Sequence, residues 1–221
     1  MFIVFEGIDG SGKATQAKLV LERLRREGRK VEYVDFPRYG QKSACLVEDY
    51  LKGRFGTAEE VGPYTASVFY AMDRYAASFE IRKWLSEGRI VIADRYVSSN
   101  MGHQAGKISD IKERDKFLEW LSDFEFGMLK IPRPDMVIFL YVSPEAGQKL
   151  SGKKWKNDFV MGSNRDIHES DISHLENASD AYIYVAKKYG WTVIDCAPSG
   201  KLKTVEEIHH MVWKKIEPVL K

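Results

Sequence analysis

Between positions 7 and 14 the chain reads Gly7-Ile8-Asp9-Gly10-Ser11-Gly12-Lys13-Ala14. Residues 1–6 before it are mostly apolar β-formers. Residues 14–27 after it put Ala17, Val20, Leu21 and Leu24 at helical spacing and stop at Gly28. A glycine-rich turn from strand to helix is the context a phosphate-binding P-loop requires. Glycines let the backbone wrap an anion with successive N–H groups pointing inward. The helix N-terminus adds partial positive charge at the same place. Lys13 can then bridge β- and γ-phosphates as a point charge. An ordinary βα turn gives no reason for a lysine directly after the last glycine. The expected ATP-binding set is therefore Gly7, Ile8, Asp9, Gly10, Ser11, Gly12, Lys13, Ala14 and Thr15.

One position departs from the pattern. The residue after the lysine is normally Ser or Thr, whose hydroxyl ligates Mg²⁺, and Ala14 has no hydroxyl. Thr15 sits about 100° further round the helix, where it suits an α-phosphate better than the missing ligand position. Mg²⁺ is then expected on ATP oxygens, water and the carboxylates of Asp9 or Asp94. A nucleotide-binding protein without useful turnover is the alternative that Ala14 leaves open.

Four further short apolar runs, residues 31–35, 90–93, 136–142 and 192–195, read as strands. They alternate with helical patterns over residues 44–51, 59–86, 178–188 and 205–220. With residues 1–6 this makes five strands, each nearly all apolar, and predicts a parallel sheet flanked by helices on both faces. At 221 residues the chain fits one α/β domain, 1–221. Residues 147–173 stand apart as polar, with two glycines and the cations Lys149, Lys153, Lys154, Lys156 and Arg165. They read either as an irregular surface loop or as a short basic lid over a phosphate site.

Charge narrows the partners only a little. Lys plus Arg number 34 against 32 Asp plus Glu, a net charge of +2. The basic cluster Arg23, Arg25, Arg26, Arg29 and Lys30 is interrupted by Glu22, Glu27 and Glu32. That suits a solvated helix end better than a nucleic-acid stripe, so no nucleic acid is expected. Cys45 and Cys196 lack metal-site spacing and are expected as buried, inert thiols in a reducing compartment. No run approaches the ~18 apolar residues of a membrane span, and a strand-like opening leaves no room for a signal peptide. A cytoplasmic protein is the expectation.

The acceptor side shows in three places. Asp94-Arg95-Tyr96 follows residues 90–93, at the carboxyl edge of the sheet, where open α/β folds bind ligands. There an acid can hold Mg²⁺ or its water, and an arginine can fork onto a phosphate. Tyr70 and Arg74 are spaced i, i+4 on one face of the long helix, an aromatic plane beside a guanidinium. Phe36-Pro37-Arg38-Tyr39 ends the second strand at the same edge. In isolation, each reads equally as core packing, a surface ion pair or a plain strand exit.

Taken together these residues resemble the thymidylate kinase family along nearly the whole chain. The likeness rests on Phe5-Glu6-Gly7-Ile8-Asp9-Gly10-Ser11-Gly12-Lys13, Phe36-Pro37-Arg38-Tyr39, Tyr70 with Asp73-Arg74, Asp94-Arg95-Tyr96 with Ser99-Asn100, and Asp166-Ile167-His168-Glu169. The resemblance implies a P-loop NTPase fold with a short lid, usually a homodimer, that uses ATP and Mg²⁺ to convert dTMP to dTDP. It places Asp9 on the sugar 3′-hydroxyl, and Arg74 and Arg95 on the dTMP phosphate with help from Tyr39. Arg38 belongs to the same dTMP-binding set. Phe36 would pack on the nucleotide, Tyr70 would stack on thymine where the family commonly has Phe, and Asn100 would read a base edge. His103 stands where some members carry Tyr near C2′. Gly10 replaces the catalytic Arg that some members carry after the loop Asp, so the lid cations Lys153, Lys154, Lys156 and Arg165 inherit that role. The catalytic set implied is Lys13, Asp94 and Arg95, with Lys153 and Arg165. Tyr70 and His103 keep a different acceptor open, such as dUMP or a ribonucleotide.

Overall fold

A computed structural model describes residues 1–154 and 172–220. Five strands, β1 (Phe2–Glu6), β2 (Val31–Asp35), β3 (Ile90–Asp94), β4 (Met136–Tyr141) and β5 (Thr192–Asp195), form one sheet. All pairs are parallel, in the order β2-β3-β1-β4-β5. Every residue of β1 and the first four of β3 are buried, as covering on both faces requires. The edge strands differ from the expectation of nearly all-apolar strands. β2 buries only Val31 and Val34, and β5 only Ile194, because each has a neighbour on one side only.

Among the described residues, eight α-helices surround the sheet: α1 (Lys13–Arg26), α2 (Cys45–Leu51), α3 (Ala58–Ser86), α4 (Val97–His103), α5 (Ile111–Ser122), α6 (Pro144–Lys154), α7 (Ile172–Tyr189) and α8 (Val205–Ile216). Strand alternation sends Ile3 and Phe5 to the face of α1 and α8, and Phe2 and Val4 to that of α3, α4 and α5. α7 serves both cores, with Tyr182 and Ala186 in one and Ala181 and Val185 in the other.

Several expectations need revision. The long helix is kinked: Gly62 adopts φ 72°, ψ 166° and Pro63 follows, which interrupts the hydrogen-bond ladder. Its start is set by a capping box, Thr57 with Glu60. Residues 97–128 carry α4, α5 and a π-helical turn, Asp123–Met128, none of them read from the sequence. A signal for α5 was present, since Asp110 accepts from the Glu113 amide at 2.9 Å as an N-cap. The polar stretch 147–173 is not irregular at its ends, which belong to α6 and α7; its middle lies outside the described residues. Cys196 is buried and its thiol is pushed up to about 12 by burial, but Cys45 is exposed at the start of α2. Among the described residues, no helix is long and apolar enough to cross a membrane.

Register positions the site. Phe5 pairs with Asp94, so β1 and β3 end side by side. Beyond that pair, the Arg95 amide donates to the Phe5 carbonyl and the Phe36 amide to the Asp94 carbonyl, both at 3.0 Å. Three chain exits meet at one edge.

Candidate active site

The loop after β1 has the backbone the glycines foretell. Gly7, Gly10 and Gly12 have φ of 148°, 82° and 89°. A Cβ on Gly7 would lie 2.5 Å from the Leu140 carbonyl oxygen, so both conformation and space demand glycine there. Lys13 is buried in the first turn of α1, and its Nζ donates to the Ile8 carbonyl at 2.9 Å. Asp9 lies 3.8 Å from the same ammonium.

Across from the loop, Arg95 holds a left-handed backbone, φ 69°. Its Nη2 donates to Asp9 Oδ1, and its Nη1 lies 3.5 Å from Ser99 Oγ and 3.2 Å from His103 Nε2. Lys13, Asp9 and Arg95 thus form a chain of alternating charge between the ends of β1 and β3. Asp9 is crowded by the loop, which opposes ionisation, but Arg95, Lys13 and His103 outweigh this and hold its carboxyl well below the usual range. Burial lowers Lys13 to about 8, reinforced by the nearby Arg95 charge and opposed by Asp9, Asp94 and Glu6.

Arg74 is placed differently from expectation. The residue is 1% exposed, with Nε and Nη2 donating to Glu125 Oε2 and Oε1 at 2.7 and 2.6 Å. The fork expected on an acceptor phosphate is filled by a carboxylate of the π-helical turn. A buried carboxylate needs a partner, and Arg74 supplies it. Asn100 is buried too, its Nδ2 donating to the Ser67 carbonyl at 3.2 Å. Phe36 packs 5.7 Å from the Tyr96 ring, in the core. Tyr70 is half-buried, edge-on to Tyr50 at 6.3 Å, and Tyr39 is 61% exposed. Arg38 is oriented by the Asp73 carboxylate, 3.0 Å from its Nε, and by Ser43 Oγ, 2.8 Å from its Nη2. A cavity of about 460 Å³ lies beside it at the exit of β2, lined by Arg38, Tyr39, Asp35 and Trp84 among others. A cavity of about 960 Å³ opens at the amino ends of the strands, by Met1, Ile90, Met136 and Thr192, on the opposite edge from the loop.

The sequence has counterparts among known proteins. The sequence model described as thymidylate kinase matches residues 5–208. The thymidylate kinase of Mycobacterium tuberculosis is 32% identical, covering 86% of this chain and 87% of its own. That of Plasmodium falciparum is 27% identical over 99% of this chain and 90% of its own, and that of Danio rerio 24% over 94% and 85%. The chain belongs to the thymidylate kinase family.

As a thymidylate kinase family member, the chain brings Asp9, Lys13, Asp94, Arg95 and His103 to one place and keeps Arg74 and Asn100 in the core. Thr15 is exposed on α1. Lys153 and Lys154 lie in the last turn of α6, and Lys156, Arg165 and the Asp166-Ile167-His168-Glu169 motif lie outside the described residues. Sequence reasoning missed Glu125, which leaves no local signal. It quoted Glu6 without a role, although an acid closing an apolar strand was the available clue.

Mg²⁺ can be tested against the residues present. No group of three His, Cys, Asp or Glu able to hold a metal occurs among the described residues. Asp94 Oδ1 and Ser11 Oγ, however, are buried with no hydrogen-bond partner. Mg²⁺ in phosphate sites is commonly held by one or two carboxylates with waters and substrate oxygens. A buried carboxylate oxygen left unspent beside the loop fits that donor set.

Two consequences are measurable. Because free Lys13 sits at about 8 and phosphates favour its charged form, ATP binding at pH 8 should take up about half a proton. Affinity should fall as pH rises above that value. Titration calorimetry in buffers of different ionisation enthalpy measures the uptake. Removing Glu125 leaves Arg74 buried and uncompensated, so Glu125→Ala should lose about 3–5 kcal/mol in urea unfolding. Arg74→Met combined with Glu125→Leu should recover most of that loss.

Proposed function

We propose that the chain transfers the γ-phosphoryl group of ATP to dTMP, giving dTDP and ADP. The observation that carries this reading is Arg95 reaching Asp9 beside Lys13, at the adjoining ends of β1 and β3. Two cations at hydrogen-bonding depth, one in a glycine loop and one opposite it, suit two phosphates meeting end to end.

In this reading Lys13 and the loop amides, with Thr15 toward the α-phosphate, hold ATP. Arg95 and Arg38 take the acceptor phosphate, Asp9 turns toward the sugar 3′-hydroxyl, and Tyr39 closes over the site. Phe36, Tyr70 and Asn100 shape the base side, with Arg74 reinforcing that wall through Glu125. An acceptor phosphate oxygen attacks the γ-phosphorus as the bond to the β–γ bridging oxygen breaks, and ADP leaves. Asp94, with Asp9, would hold Mg²⁺, which neutralises charge on the phosphates. Lys153, Lys156 and Arg165 are proposed to supply lid charge to the equatorial oxygens, and closure excludes water. A cytoplasmic homodimer is the form this reading carries over from the family.

A second reading, a different monophosphate acceptor, draws on His103, which lies against Arg95 where some family members have Tyr. A coupled ADP-release assay with dTMP, dUMP, UMP, CMP, AMP and GMP separates the two. dTMP should show the highest kcat/KM. Faster turnover of another monophosphate, or ADP release indifferent to every acceptor, overturns the proposal.

A further inference from the structure

Glu6, the last residue of β1, is wholly buried, yet its carboxylate is crowded with donors. Oε1 accepts from the Tyr96 amide at 3.0 Å, Ser98 Oγ at 2.8 Å and Ser99 Oγ at 3.0 Å. Oε2 accepts from Ser99 Oγ at 3.0 Å and from the Tyr182 hydroxyl at 2.9 Å. Three of these donor residues lie within four positions after Arg95, and the fourth is on α7.

Arg95 itself is strained. A non-glycine residue in the left-handed region costs about 1–2 kcal/mol and persists where its surroundings over-determine it. Here the peptides on both sides of Arg95 are tied to consecutive residues of one strand. The Arg95 amide goes to the Phe5 carbonyl, and the Tyr96 amide goes to the Glu6 carboxylate. The side chain is tied in as well, because Ser99 Oγ stands between Glu6 and Arg95 Nη1. Tyr182 braces the far side: its ring stacks on Phe139 at 5.2 Å and meets His103 edge-on at 5.4 Å. The fit is tight enough that a Cβ on Gly102 would fall 2.4 Å from that ring.

We propose that Glu6 is a positioning residue for the acceptor clasp, holding Arg95 in its strained conformation and aiming its guanidinium at the phosphate loop. A buried carboxylate costs several kcal/mol of desolvation. An apolar residue would fill the end of an apolar strand without that cost, but could not gather the amide and hydroxyls that follow Arg95. Burial raises the carboxyl of Glu6, and Arg95, Ser98, Lys13 and Tyr182 restrain the rise.

The inference rests on Arg95 being the acceptor ligand. Wild-type turnover of dTMP and its loss in Arg95→Ala test that reading separately. The test of Glu6 is a double-mutant cycle at pH 7, where Lys13 stays charged. Glu6→Gln should lower kcat/KM for dTMP about 10- to 100-fold, the scale of a misplaced binding group, with KM for ATP changed less than about twofold. In the Arg95→Ala background the same change should do nothing further. An equal fold loss in both backgrounds, or KM for ATP rising in step, overturns the proposal. If Glu6→Gln does not fold, Ser99→Ala in the same cycle cuts the link to the Arg95 guanidinium and carries the same expectation and the same refutation.

Discussion

Lys13→Ala is expected to cut turnover by about 10³-fold or more, the scale seen when a preorganised charge is removed from a phosphoryl-transfer site. The ammonium is already desolvated and already aimed, lying on the Ile8 carbonyl and 3.8 Å from Asp9. It therefore needs little reorganisation to meet a phosphate. The same burial gives the prediction a second half. Burial holds Lys13 at about 8 against an ordinary 10.5, so the unfolded chain binds this proton more tightly than the empty folded one. That cost is present in full below about 8 and fades as pH rises from there toward 10.5. Lys13→Met, which keeps the aliphatic stem, should accordingly melt at the same temperature or higher at pH 7 while losing activity. Near-normal turnover, or a melting point that drops sharply, would contradict this account of Lys13.

The second large effect belongs to Arg95. Arg95→Ala should lower kcat/KM for dTMP by about 10²–10³-fold, since the charged contact proposed for the acceptor phosphate is lost and Asp9 loses the guanidinium it accepts from. Arg95→Lys should recover only part of this, because an ammonium cannot reproduce the planar fork. Arg95→Gly separates side chain from backbone: glycine relieves the φ of 69° yet carries no guanidinium. It should be more stable than Arg95→Ala, which keeps the strained φ, and as inactive. Steady-state kinetics with thermal melts on the three variants decide the matter. Full activity in Arg95→Gly would remove Arg95 from the acceptor site.

The sheet was legible because its signals are local. A strand buried on both faces is apolar along its length, and helix periodicity, with glycine stops after α1 and α3, gave α1, α2, α3 and α8 to within a few residues. The phosphate loop was legible for the same reason, since its backbone conformation needs glycine at positions 7, 10 and 12. α4 and the π-helical turn escaped because one carries only Val97 and Met101 as large apolar residues and the other has no period of its own.

The roles of the arginines divide along the same line. Sequence alone placed Arg38 and Arg95 at the carboxyl edge of the sheet, put Arg74 on the long helix, and set a lysine at the end of the loop. Where each of them points was decided by partners distant in the chain. Glu125, 51 positions from Arg74, takes that fork into the core, whereas Arg95 pairs with Asp9, 86 positions away, and Glu6, 90 positions from Tyr96, ties the peptide that follows Arg95. A buried charge takes its direction from the counter-charge nearest in space, and that distance exists only once the strands have paired.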